Sequence, residues 1–139
     1  PFNQILSNEN DTVETAKEFL KVLKTGDIVL LNGELGSGKT FFVKSICSFI
    51  NIDNVSSPSF AIVNEYRNGK RIVHIDFYRI KKLTELYDLG IEDYLNVNDS
   101  LVFIEWAELW REVLPNKYYE IQLYQLEDNR RKIIITKHE

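Results

Sequence analysis

The sequence predicts an α/β fold, with a mixed central sheet (a parallel core plus antiparallel hairpins) flanked by helices. Three observations predict it. Asp27-Ile28-Val29-Leu30-Leu31-Asn32 reads as a short buried strand, followed by a glycine-rich turn and a helical pattern from Thr40 to Ile50. Leu101-Val102-Phe103-Ile104 is a continuous apolar run, the mark of a strand buried on both faces and so parallel to the first. Two hairpin patterns, through Asn68-Gly69 and around Glu127-Asp128-Asn129, add antiparallel pairs.

The elements follow in order. Asp11 is placed to cap the first helix, with Glu14 three residues on as in a capping box. Val13, Ala16, Leu20 and Leu23 share one helical face, which Phe19 widens. Thr25-Gly26 ends that helix, with Gly26 suited to a left-handed C-cap. After the second helix, in which Cys47 sits among apolar neighbours, Asn51 to Ser59 reads as a loop. Phe60 to Tyr66 and Arg71 to Phe77 read as paired strands, and Thr84 to Leu95 as helical pieces broken at Gly90. A helix from Ala107 to Leu114 ends before Pro115, and Tyr118 to Leu126 and Arg130 to Thr136 close the chain as strands.

A chain of 139 residues is expected to form one domain, spanning 1–139. The formal charge of −4 argues against a free-standing nucleic-acid binder, which carries a basic excess. A single cysteine excludes an intramolecular disulfide and a cysteine-based zinc site. No apolar run approaches the roughly 18 residues of a membrane span. Pro1-Phe2-Asn3-Gln4 lacks the basic start and apolar core of a signal peptide, so the expected place is the cytoplasm.

The turn after the first buried strand carries the chemistry. Gly33-Glu34-Leu35-Gly36-Ser37-Gly38-Lys39-Thr40 has the form G-x-x-x-x-G-K-[ST], the phosphate-binding P-loop, in its required strand-to-helix setting. Glycines let backbone N–H groups turn inward around an anion, and the helix N-terminus favours the same charge. The nucleotide-contacting stretch is Glu34, Leu35, Gly36, Ser37, Gly38, Lys39, Thr40 and Phe41. Within it Lys39 brings charge to the β- and γ-phosphates of ATP or ADP, and Thr40 offers its hydroxyl to Mg²⁺.

A P-loop site also needs an acid at the tip of a neighbouring strand. Glu105 and Asp76 both fit, and the cleaner apolar run before Glu105 assigns it to the metal. Asp76 is then read as orienting or deprotonating the attacking water or holding a metal-bound water, against a plain pairing with Arg79. Arg79 is either a stabiliser of transferred charge or a surface ion-pair partner. His74 alternates with Asp76, so it faces either the site or the core. Trp106 is expected beside the nucleotide site and Trp110 in the core. Arg79-Ile80-Lys81-Lys82 is a small basic cluster, read as a solvated face rather than a tRNA contact.

Three activities compete: an ATPase driving a step in a partner complex, a small-molecule P-loop kinase, and a GTPase. A kinase calls for an arginine-rich lid, and the one adjacent pair, Arg130-Arg131, falls in a hairpin turn. Guanine readers use Asn-Lys-x-Asp, whereas Asn116-Lys117 is followed by Tyr118-Tyr119.

The order of motifs resembles the TsaE (formerly YjeE) family, P-loop ATPases of bacterial tRNA threonylcarbamoyladenosine synthesis. The matching features are Gly26-Asp27, the P-loop, Ser57-Pro58-Ser59-Phe60, Glu65-Tyr66, His74-Ile75-Asp76-Phe77-Tyr78-Arg79, Gly90-Ile91-Glu92-Asp93 and Ile104-Glu105-Trp106-Ala107-Glu108. The His-x-Asp-x-Tyr-Arg segment followed by Ile-Glu-Trp is the specific part. The resemblance implies Thr40 and Glu105 as magnesium residues, Asp76 as important for hydrolysis, and the Ser57–Phe60 loop as a switch-like segment. It also implies a cytoplasmic protein working with TsaB and TsaD, whose pair carries the tRNA-modifying site. Ser59 departs from the family's usual threonine, keeping the hydroxyl and losing a methyl. After Lys117 the resemblance says little.

Overall fold

The computed structural model describes residues 2–34, 37–53, 63–96 and 98–139. Its elements are β1 (Phe2–Leu6), α1 (Glu9–Val22), β2 (Ile28–Gly33), α2 (Lys39–Ser48), β3 (Val63–Asn68), β4 (Lys70–Asp76), α3 (Leu83–Asp88), α4 (Ile91–Leu95), β5 (Ser100–Glu105), a 3-10 segment (Ala107–Val113), β6 (Tyr118–Gln125), a short 3-10 turn (Glu127–Asn129) and β7 (Arg131–His138).

The strands form one seven-stranded sheet in the order β1-β7-β6-β2-β5-β4-β3. The centre is parallel: β2 pairs with β5 and β6, and β4 with β5. The margins are antiparallel, through β3–β4, β6–β7 and β1–β7. The mixed sheet expected from the apolar runs and hairpin signals is therefore present. Alternation along the strands divides the core in two. Val29, Leu31, Ile72, Phe103 and Ile121 face α1 and α2. Ile28, Leu30, Val73, Ile75, Val102 and Ile104 face α3, α4 and the 3-10 segment after β5. Every residue of β5 is buried, as a strand covered by both layers must be.

Local departures from the sequence reading have physical causes. The cap of α1 is Asn8, whose side chain accepts from Asp11 N–H at 2.9 Å, and the helix begins at Glu9. Asp11 instead accepts from Ser7 N–H, one residue before the cap, at 2.8 Å, so the capping lies three residues earlier than expected and does not close back on the cap itself. The buried stripe of α1 is Thr12, Thr15, Ala16 and Phe19 with Leu23 beyond, rotated from the apolar periodicity because two threonines sit in it. Gly26 does take φ +100°, but in the turn to β2; α1 has already ended at Val22, capped by extended Leu23. Strand β1 was not anticipated: Asn3, Gln4 and Ile5 are exposed, and pairing with β7 makes it a strand. The expected α-helix after β5 is a 3-10 segment, interrupted at Trp110 (φ −137°, ψ 61°), whose indole N–H donates to Ile80 C=O at 3.3 Å. Cys47 is buried in the α1/α2 layer, which pushes its thiol pKa up to about 12.

Candidate active site

Three strands of the parallel centre, β2, β4 and β5, point their carboxyl ends at one cleft of about 770 Å³, the place where open α/β sheets bind ligands. Lys39, Thr40, Asp76, Arg79, Glu105 and Arg131 are among the side chains that line it.

The P-loop begins where β2 stops. At Gly33 a Cβ would lie 2.5 Å from Ser37 Oγ and 2.8 Å from the backbone oxygen of Leu123, so the loop folds back over a strand end that has room only for glycine. Ser37 N–H donates to Glu34 C=O at 3.0 Å. Gly38 takes φ +104° at the N-cap of α2, a conformation that glycine reaches without steric cost. Leu35 and Gly36 lie outside the described residues, as does the loop Ser57-Pro58-Ser59-Phe60. Ser37 Oγ is buried and has no hydrogen-bond partner among the described residues. Thr40 and Phe41 line the cleft from the first turn of α2. Glu34 instead borders a neighbouring groove of about 470 Å³, together with Glu108 and Tyr124.

Lys39 is 5% exposed. Its Nζ donates to Gly33 C=O at 2.7 Å and lies 3.9 Å from the centre of the Trp106 ring, a cation–π contact. Burial pushes its pKa down, against the upward pull of the Glu105, Glu108 and Asp76 carboxylates. Trp106 follows Glu105 with a left-handed backbone (φ 60°), and its ring also meets Tyr78 at 5.0 Å. A tryptophan at positive φ is an outlier of the kind that clusters at functional sites.

Asp76 and Glu105 are register partners on adjacent parallel strands, so both carboxylates stand on one face at the strand tips. Glu105 is 4% exposed, and its Oε2 lies 2.5 Å from His74 Nε2. Asp76 Oδ1 accepts from Tyr78 N–H at 2.8 Å. Burial, helped by the nearby Glu105 charge, raises the Asp76 carboxyl above its ordinary value; the Tyr78 N–H, Lys39 and His74 oppose the shift. Among the described residues no carboxylate pairs with Arg79, which is exposed on the cleft rim. The sequence-predicted Gly38, Lys39, Thr40, Phe41, Asp76, Arg79 and Glu105 are thus gathered at one cleft, and His74 sits behind Glu105 in the sheet.

Glu9 and Arg131 are charged cleft residues that escaped the sequence reading, and Arg131 is the one that reaches the P-loop. Arg131 does not lie in the turn; Glu127–Asn129 makes the turn, and Arg131 opens β7. Its Nη1 comes within 3.1 Å of where a Cβ at Gly38 would sit, which brings a guanidinium to the P-loop. Nothing local signals this, because the approach depends on the register of the β6–β7 hairpin beside β2.

The donor set fits Mg²⁺ bound with a polyphosphate. Among the described residues no group of three or more His, Cys, Asp or Glu could hold a metal by itself. Mg²⁺ does not ask for one, since it takes one or two protein oxygens and completes its shell with phosphates and water. Thr40 and Glu105 offer such oxygens, and the orphaned Ser37 hydroxyl and the Gly33 cradle fit an anion beside them.

Comparison with known proteins agrees with this geometry. The family model described as "Threonylcarbamoyl adenosine biosynthesis protein TsaE" matches residues 6–133. The tRNA threonylcarbamoyladenosine biosynthesis protein TsaE of Rickettsia bellii is 42% identical over 135 residues, covering 95% of this chain and 92% of that protein. Its Bacillus subtilis counterpart is 35% identical over 131 residues, covering 93% and 81%. A crystal structure of Bacillus subtilis YdiB superposes with a TM-score of 0.81 at 27% identity, covering 99% of this chain and 86% of that one. With the P-loop, the paired strand-tip acids and the matched length in agreement, this chain belongs to the TsaE family of tRNA threonylcarbamoyladenosine biosynthesis proteins.

Proposed function

We propose that the cleft binds ATP with Mg²⁺ and hydrolyses it, and that this hydrolysis serves the threonylcarbamoyl modification of tRNA adenosine through a TsaB–TsaD partner complex. The observation that carries the reading is the pairing of Asp76 with Glu105 at the strand tips, opposite Lys39 of the P-loop. In this reading the loop from Gly33 to Thr40 cradles the phosphates and Lys39 moves from Gly33 C=O to a phosphate oxygen. Thr40 and Glu105 hold Mg²⁺, which when bound neutralises charge on the β- and γ-phosphates. Asp76 accepts a proton from the attacking water. Its burial-raised pKa suits a base, and its Tyr78 bond fixes one oxygen and leaves the other for water. Water oxygen bonds to the γ-phosphorus, the bond to the bridging oxygen breaks, and ADP and phosphate leave. Arg79 and Arg131 supply positive charge from the rim.

Arg131 beside Gly38 also answers to the lid arginine of a small-molecule kinase, the alternative reading. Phosphate release decides between them. ATP and Mg²⁺ with purified TsaB and TsaD are expected to give free phosphate at a raised rate. Phosphate retained on a small acceptor, with no response to TsaB and TsaD, would replace this reading with the kinase.

A further inference from the structure

His74 is wholly buried, on the face of β4 that carries Ile72 and Asp76. Its register partner on β5 is Phe103, and Ile72 precedes it on the same face, so packing alone calls for an apolar side chain there. Among the described residues the imidazole makes one hydrogen bond, from Nε2 to Glu105 Oε2 at 2.5 Å. Its Nδ1 is buried with no partner among the described residues, a desolvation cost that an apolar side chain would not carry. The Nε2 contact is also the only side-chain hydrogen bond of Glu105 among the described residues, because Lys39 donates to Gly33 C=O instead.

We propose that His74 is a positioning residue for Glu105: its Nε2–H fixes Oε2 and leaves Oε1 as the oxygen offered to the cation in the cleft. The inference rests on the nucleotide and Mg²⁺ reading of the site. Without that donor the Glu105 side chain, beside the carboxylate of Asp76, is no longer held in one rotamer. Partners that orient a metal-binding carboxylate typically change metal affinity by 10–100-fold when removed.

The test compares His74→Leu, which deletes the donor in a similar volume, with His74→Gln, whose Nε2 can donate from the imidazole Nε2 position. Binding of a non-hydrolysable ATP analogue is measured by calorimetry across a Mg²⁺ titration and again in chelator. For His74→Leu the half-effective Mg²⁺ concentration is expected to rise about tenfold, with metal-free affinity unchanged. His74→Gln is expected to stay near the parent. If His74→Leu does not fold, His74→Asn takes its place, because its shorter amide does not reach Glu105. An unshifted midpoint in the donor-less variant, or equal shifts in it and His74→Gln, overturns the positioning role alone. A parent protein that shows no Mg²⁺-dependent binding overturns the nucleotide reading and this inference with it.

Discussion

Alanine at Gly33 tests whether the P-loop is built on close packing at the end of β2 rather than on loop freedom. The added Cβ meets Ser37 Oγ at 2.5 Å, Leu123 O at 2.8 Å and Leu123 Cβ at 3.3 Å. Ser37 can rotate away, since its Oγ has no hydrogen bond to lose among the described residues. Leu123 O cannot, because Gly33 and Leu123 are register partners in the β2–β6 ladder. Relief therefore requires the strand ends to separate, and overpacking of this kind costs about 1–3 kcal/mol. Unfolding entropy for 139 residues is about 0.3 kcal/mol per degree, so Tm should fall by roughly 3–10 °C. Thermal unfolding followed by circular dichroism measures the fall, and calorimetry measures an accompanying loss of nucleotide affinity. Adding Ser37→Gly removes only the 2.5 Å contact and should restore only part of the stability. A Gly33→Ala protein as stable as the parent, or full recovery with Ser37→Gly, would refute the reasoning.

Four further outcomes are expected. Lys39→Ala should weaken binding of ADP and of a non-hydrolysable ATP analogue by about 10- to 150-fold, the equivalent of about 1.5–3 kcal/mol for a hydrogen bond to a charged group; calorimetry checks it. Asp76→Asn should bind Mg²⁺–nucleotide nearly normally and lose turnover, whereas Glu105→Gln should weaken the Mg²⁺ dependence of binding; Mg²⁺ titrations of binding and phosphate release separate the two. The Asp76 carboxyl is raised above 3.8, so between that value and its folded pKa the unfolded chain releases a proton that the folded chain keeps. Stability then falls as pH rises through that window, Asn should flatten the fall, and the acid limb of kcat/KM in the parent should lie above 3.8. TsaB and TsaD together should raise phosphate release, and by linkage should change ATP affinity by the factor by which ATP changes theirs; equal rates with and without them count against the partner reading.

The β2–β5 pair was legible because both strands are runs buried by two layers, and burial on both faces leaves a continuous apolar string; the parallel place of β6 was not, because its burial alternates. Strand β1 was not, because three of its five residues are exposed and only the distant β7 makes it a strand. The P-loop and the two strand-tip acids were legible because local chemistry fixes their spacing. Arg131 and the His74–Glu105 bond were not, because both depend on strand register, which brings together residues far apart in sequence. The break at Trp110 was hidden for the same reason: its indole answers to Ile80, thirty residues away.

The placement of charge in the cleft argues for a coupled cation and nucleotide. Three acids (Glu9, Asp76, Glu105) and three bases (Lys39, Arg79, Arg131) line it, so the lining carries no net charge. Lys39 lies near both strand-tip acids, yet the two acids remain neighbours. Asp76 and Glu105 stand side by side at the strand tips, while Arg131 lies by Gly38. A polyphosphate seated in the P-loop brings its outer phosphate toward those two carboxylates. At about 4 Å and an effective dielectric near 20, each such like-charge pair costs about 4 kcal/mol. Lys39, already drawn toward the same carboxylates, offsets only part of that. Mg²⁺ held by Thr40 and Glu105 would supply the positive charge that offsets this repulsion. Mg²⁺ should therefore raise affinity more for the triphosphate, which carries the additional phosphate charge, than for the diphosphate. A cleft with bases at the tips would bind both nucleotides without metal and would lose that discrimination.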